Sequence, residues 1–173
     1  TLDARYGIVT LLRAFMMLKN PSYRLVICGD GDSRNTVLEC VKMDNRVSYK
    51  GQLPREEILV LQQKATLLVN PRTSEGEFTK YSFPSKTIEY LASGTPVLLY
   101  KLAGIPDEYY EYCFTVEDNS DEALSKKIDE ILNMDRAVLR SLGMRARKFI
   151  LTEKSPKNQC KKLVDLIERI VES

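Results

Sequence analysis

Short, nearly unbroken apolar runs alternate with segments of helical spacing from Tyr6 to Val116, and this alternation leaves few architectures open to the chain. The runs Tyr23–Cys28, Arg46–Lys50, Thr66–Asn70, Pro96–Tyr100 and Cys113–Val116 are bounded by Gly, Pro, Asn or Asp and predict buried strands. Between them, apolar residues recur at helical spacing over Tyr6–Lys19, around Val37, Leu38 and Val41, and over Pro54–Lys64 and Pro84–Ser93. A short segment, Ile105–Tyr112, precedes the last strand. Strands that are apolar on both faces and separated by helices predict a parallel sheet covered on both sides, so the fold class is α/β and Rossmann-like.

Beyond residue 119 the pattern changes to three helical stretches with no strand between them, Asp121–Asn133, Asp135–Leu151 and Pro156–Glu172. The last carries Leu163, Val164, Ile167, Ile170 and Val171 on roughly one face. Such a stripe either packs on the core or docks on another domain. The organisation read from the chain is therefore a body over residues 1–155 and an amphipathic terminal helix over 156–173.

Composition removes several function classes. The length, 173 residues, is about one domain's worth. The near-balance of 26 Lys+Arg against 24 Asp+Glu argues against a nucleic-acid partner. With no histidine in the chain, imidazole bases, Ser-His and Cys-His dyads and the commonest metal ligand are excluded. Cys28, Cys40, Cys113 and Cys160 form no CxxC pair and read as reduced, partly buried thiols. No stretch approaches the roughly 20 apolar residues of a membrane span, and the start TLDARYGIVTLLRAF does not read as a signal peptide, so a cytoplasmic location is expected.

In an open parallel sheet ligands sit beyond the carboxyl ends of the strands, which confines the search to the loops that follow strands. Gly29-Asp30-Gly31 lets backbone come close to a ligand, although the same pair of glycines suits an ordinary turn. It is not a dinucleotide fingerprint, because Arg34 stands where GxGxxG needs glycine. Asp30-Gly31-Asp32 has the form of a metal-chelating DxD, but Asp32-Ser33 equally serves a helix N-cap; the acidic run Glu117–Glu122 is explained by capping too. The loop Pro71–Phe83 is long for a connection in such a fold, as functional loops tend to be. At its end Pro84 presets the first helical turn, Ser85 and Thr87 add hydroxyls, and the free N–H groups of that turn form an anion-binding end. Lys86, with Lys80 and Arg72 from the loop, adds positive charge. Glu89, one turn further in, either pairs with a neighbouring lysine or accepts hydrogen bonds from a pair of sugar hydroxyls.

At these residues the chain resembles the C-terminal, nucleotide-sugar-binding domain of a GT-B-fold glycosyltransferase of the family-4, group 1 retaining class. Asn70-Pro71-Arg72-Thr73-Ser74-Glu75-Gly76 is similar to the first half of the family's run P-S-x-x-E-G-F-G, and Glu89-Tyr90-Leu91-Ala92-Ser93-Gly94-Thr95-Pro96-Val97 to its second half, E-A-x-A-x-G-x-P-V. Leu25–Gly31 and Val47–Leu53 resemble the family's strand-and-glycine segments. The resemblance covers residues 6 to 150 and implies that Glu89 binds the donor's ribose and that Gly51, Gln52 and Leu53 hold the base. It further implies that Gly29, Asp30 and Gly31 line the nucleotide cleft, while Ser85, Lys86 and Thr87, with Lys80, meet the diphosphate. Glu75 would face the transferred sugar, with Glu77 as the alternative, since the thirteen residues between Glu75 and Glu89 exceed the family's spacing.

The resemblance further implies a UDP- or GDP-sugar donor, no metal, an acceptor hydroxyl, transfer with retention, and work in bacterial cell-surface polysaccharide or glycolipid assembly. The full-length enzyme would associate peripherally with the inner face of the membrane. Tyr6-Gly7 stands where the family has a lysine before the glycine, and the resemblance implies a first strand that would precede residue 1. An N-terminal acceptor-binding domain is expected as a partner that the terminal helix 156–173 reaches, and the domain alone is expected to be inactive. Two other readings remain beside this one: a GT-B-type nucleotide-sugar epimerase, and a non-catalytic α/β nucleotide-binding or regulatory module.

Overall fold

The structure is a computed structural model that describes residues 1–74, 79 and 81–171. A 3-10 turn at Ala4–Tyr6 leads into α1 (Ile8–Met17), followed by β1 (Leu25–Ile27), α2 (Arg34–Met43), β2 (Val47–Tyr49), α3 (Arg55–Lys64) and β3 (Leu68–Asn70). Then come α4 (Ser85–Ser93), β4 (Val97–Tyr100), a 3-10 segment at Asp107–Tyr112, β5 (Phe114–Val116), α5 (Asp121–Leu132), α6 (Arg136–Glu153) and α7 (Pro156–Val171). Each element lies within two residues or so of its expected bounds, as helix and strand ends ordinarily do. The exception is the first helix, whose opening turn splits off because Gly7 takes a left-handed conformation at φ 78°.

Among the described residues all strand pairs are parallel, with β1 on β2 in one ladder and β3, β4 and β5 in order in a second. Burial on both faces explains why β4 is aliphatic but for Tyr100. Leu98 and Tyr100 enter a core cluster with Leu12, Val37, Leu124 and Ile131, whereas Val97 and Leu99 enter another with Leu91, Ala146 and Phe149. Successive side chains thus meet helices on opposite faces, as a sheet covered on both sides requires. Burying each such Leu or Ile contributes about 1.5–3 kcal/mol, an upper figure because unfolded chains already bury some surface.

Two expectations about packing change. On α2 the inward residues are Val37, Cys40 and Val41, at i, i+3 and i+4, and Leu38 falls off that face and is exposed. On α7 the apolar stripe exists but enters neither core cluster: Leu163, Ile167 and Ile170 remain 58%, 52% and 66% exposed, against the core-packing reading. Side-chain caps also fall unevenly. Ser120 Oγ accepts from Ala123 N at 3.2 Å and Asp135 Oδ1 from Ala137 N at 2.7 Å, closing the starts of α5 and α6. Ser33 sits at the N-cap of α2, but its side chain makes no cap bond there.

Candidate functional site

The loops after β1 and β2 are stitched to each other. Gly29 N donates to Gly51 O at 2.8 Å, and the Tyr49 hydroxyl donates to Gly29 O at 2.7 Å. The start of the chain lies over the same loop, with Leu2 N donating to Asp30 O and Ser33 N to Leu2 O, both at 2.9 Å. A Cβ on Gly31 would fall 2.5 Å from Leu2 O, so the space this glycine clears is filled by the protein's own backbone rather than held open. Nothing lies within 4 Å of a Cβ on Gly51, which leaves Gly51, exposed Gln52 and half-buried Leu53 as the part of the pair of loops facing outward. Asp30 is exposed, its Oδ1 accepting from Gly31 N at 2.9 Å.

The start of α4 is built differently from those of α5 and α6. Pro84 precedes it in extended conformation with no side-chain cap bond, and Ser85 and Lys86 are exposed. The uncapped N–H groups and the positive end of the helix dipole therefore face outward at this point. Thr87 departs from the expectation. Its side chain is fully buried on the same face as Leu91, its N donates to Pro84 O at 2.9 Å, and its hydroxyl has no partner among the described residues. A phosphate outside the helix end is out of reach of that hydroxyl.

Arg72 is also reassigned. It is buried, donates to Ser82 Oγ at 2.5 Å and lies 5.6 Å over the Tyr6 ring, which ties the loop after β3 to the chain's opening turn. Glu75, Glu77 and Lys80, the candidates for contacts with the transferred sugar and the diphosphate, lie outside the described residues.

Ser85, Ile88, Glu89 and Ala92 share one face of α4 at i, i+3, i+4 and i+7. Together with Arg55 and Leu59 of α3 and Arg147 of α6 they line an open depression of about 460 Å³. The depression joins Glu89 to the helix start; residues 29–31 and 51–53 do not line it. Glu89 Oε1 receives a bond from Gln62 Nε2 at 2.6 Å and lies 3.3 Å from Lys86 Nζ. Burial pushes the Glu89 carboxyl up, but the Gln62 amide, Lys86 and Arg55 together hold it below its ordinary value. A carboxylate so held accepts hydrogen bonds from hydroxyls, beside two arginines and a helix end that favour an anion. Reading only the loops after strands missed Arg55, Gln62 and Arg147, which project from helices. Helical spacing puts Ser85, Ile88 and Glu89 on one face, but nothing local marks that face's partners on α3 and α6.

Among the described residues no helix is long and apolar enough to cross a membrane. The family model described as "Glycosyl transferases group 1" matches residues 1–149. A putative colanic acid biosynthesis glycosyltransferase, WcaL, from Salmonella typhimurium is 23% identical over 151 residues, covering 86% of this chain and 37% of that protein. Among solved structures, sucrose-phosphate synthase from Thermosynechococcus elongatus superposes with a TM-score of 0.74 at 25% identity, over 98% of this chain and 43% of that one. HepE from Anabaena, in complex with UDP, superposes with a TM-score of 0.75 at 17% identity, over 97% of this chain and 46% of that one. The chain thus spans less than half the length of each of these proteins, and the fold of the two solved structures is shared over nearly all of it.

Proposed function

The chain belongs to the group 1 glycosyltransferase family, and on that premise we propose that it is the donor-binding half of a retaining enzyme that moves a sugar from a UDP- or GDP-sugar to an acceptor hydroxyl. The setting proposed is bacterial cell-surface polysaccharide or glycolipid synthesis, in keeping with the description of the Salmonella relative. A uridine nucleotide is in keeping with the UDP in the HepE complex.

The observation that carries this reading is Glu89: an ionised, half-buried carboxylate in the wall of a depression, one turn above a helix start that no side chain caps. In the proposed complex its free oxygen accepts from the two ribose hydroxyls, and Gly51, Gln52 and Leu53 hold the base. The N–H groups of Ser85 and Lys86, with the Lys86 ammonium, meet the diphosphate. Gly29, Asp30 and Gly31 act through the shape of the loop that supports Gly51, given the bond from Gly29 N. Preorganised donors and positive charge at the leaving diphosphate are what sugar transfer asks of this half of the cleft. Glu75 or Glu77 would face the transferred sugar.

Residues 1–155 form the donor domain in this reading, and α7 carries its apolar stripe to the acceptor-binding domain of the same protein. The half to two-thirds exposure of Leu163, Ile167 and Ile170 and the greater length of the relatives both support that assignment. The enzyme would act in the cytoplasm, at the inner face of the membrane. Without the second wall of the cleft, this chain should bind nucleotide and transfer nothing, since positioning the acceptor supplies much of the rate.

Calorimetric titration with UDP, GDP and ADP tests the proposal. UDP or GDP should bind and shift the amide signals of residues 51–53 and 85–89. Glu89→Ala should weaken binding about tenfold in a chain that still folds, its melting temperature lowered because the buried Gln62 amide loses its partner. Unchanged affinity in that variant, or shifts confined to other residues, sinks the assignment.

A further inference from the structure

The Glu89 carboxylate is held from the neighbouring helix by a residue that does not line the depression. Gln62 of α3 is 5% exposed. Its Nε2 donates to Glu89 Oε1 at 2.6 Å, while its backbone carbonyl accepts from the buried Thr95 hydroxyl at 2.7 Å, which fixes this turn of α3 against the link between α4 and β4. Its own Oε1 is buried and has no partner among the described residues. Leaving a buried amide oxygen unpaired is unfavourable, and leucine would fill nearly the same space without that cost. What leucine lacks is a donor for a carboxylate. Only the NH₂ end of the amide can face an ionised carboxylate, so the orientation of the side chain follows from chemistry.

We propose that Gln62 is a positioning residue for nucleotide recognition: it fixes Oε1 of Glu89 against α3 and so leaves Oε2 as the acceptor presented to the paired hydroxyls of the ligand. The inference rests on the reading of Glu89 as the ribose acceptor and adds the residue that orients it. Other charged or titratable groups face the carboxylate from each element around it. Arg55 comes from α3, Lys86 and Tyr90 from its own helix, and Arg147 from α6 lines the same depression. Lys86 pairs with the same oxygen at 3.3 Å, but it is an exposed ammonium on a flexible stem and sets no direction. Gln62 is buried and anchored through its backbone. Burial pushes the carboxyl up, and the Gln62 amide is the foremost of the contributions that bring it down. Glu89 therefore stays ionised from neutral pH into mild acid, and its acceptor role is lost as pH falls through its lowered value. Removing the amide should move that loss to higher pH.

The test follows the Glu89 carboxyl carbon by NMR across the carboxylate range and measures UDP affinity by calorimetry over the same pH values, in the unaltered chain, Gln62→Leu and Gln62→Glu. Both variants keep the backbone carbonyl that Thr95 uses. In Gln62→Leu, Glu89 should titrate about one pH unit higher, UDP should bind about tenfold more weakly near neutral pH, and the acid loss of affinity should move upward by the same interval. Gln62→Glu keeps the shape and sets a second carboxylate against the first, so its displacement should be larger. It also serves if the leucine variant does not fold. In the unaltered chain the Gln62 side-chain amide protons should shift as Glu89 titrates. Identical Glu89 titrations in all three proteins, unmoved affinities, or Gln62 amide signals indifferent to the Glu89 titration overturn the proposal. If Gln62→Leu changes nothing while Glu89→Ala weakens UDP, the positioning role alone falls. If Glu89→Ala leaves UDP affinity intact, the ribose reading falls with it.

Discussion

The two ends of α4 are built to opposite plans. At the C-terminal end, Gly94 closes the helix in a left-handed conformation at φ 85°, Ser93 Oγ donates to Tyr90 O and accepts from Thr95 N, and Arg147 reaches Ser93 O at 3.4 Å. Gly143 of α6 packs so closely there that a Cβ would fall 2.1 Å from Gly94 O. At the N-terminal end, ten residues earlier, Pro84 supplies no cap bond and Ser85 and Lys86 are exposed. A helix whose polar ends are both expensive to leave unpaired is thus closed by the fold at one end only. The starts of α5 and α6 are capped by Ser120 and Asp135, whereas those of α2 and α3, like that of α4, have no side-chain cap bond.

If that contrast separates a structural end from a binding end, substitutions at the two ends should divide between stability and ligand affinity. The largest effect is expected from Gly143→Ala. The clash is with backbone, which cannot rotate away, so stability measured by chemical denaturation should fall by about 3 kcal/mol or more, toward the upper end for overpacking. Gly94→Ala should cost about 1–2 kcal/mol, the strain of a left-handed alanine, since Met144 and Arg147 leave ordinary contact distances around the new methyl. A loss at Gly143 no larger than at Gly94 would show that α4 and α6 slide apart freely and that this end is not rigid. Ser85→Asp is the smallest in stability and the most telling in sign. A carboxylate at the helix start complements the dipole and should add about 0.3–1 kcal/mol of stability, while weakening UDP several-fold by repelling the diphosphate. A variant stabilised without any loss of UDP affinity would make this end merely uncapped.

Most of the architecture was legible in the sequence because it follows from periodicity, which is local. The β4 run reads as buried on both faces from its residues alone, and both core clusters receive it. Other features depend on side chains that meet across the fold. Ser85 and Thr87 look alike as hydroxyls near a helix start, yet two residues around a helix is more than half a turn, and Thr87 turns into the core beside Leu91. Glu89 was legible as a candidate, but its partner Gln62 stands 27 residues away on a helix with no motif of its own. Arg72 read as a mobile cation, and only the fold brings Ser82 and Tyr6 around it. For α7 the amphipathic pattern is legible, whereas whether the stripe joins the core is not written in the helix itself.

The division of the strands into two ladders has a consequence for motion. β1 and β2 carry the glycine loops, β3 carries the segment leading to α4, and the two groups meet through the core around α1. Backbone amides in β4, whose four residues are all buried, should be among the slowest to exchange with solvent, and those of two-stranded β1 should exchange through smaller, more frequent openings. A nucleotide held at once by residues 51–53 and by the start of α4 would fasten one cooperative unit to the other. Exchange in β1 and β2 would then slow with rising nucleotide concentration until the two groups of strands opened together, so that the ligand acts as the cross-strand tie that neither ladder supplies alone.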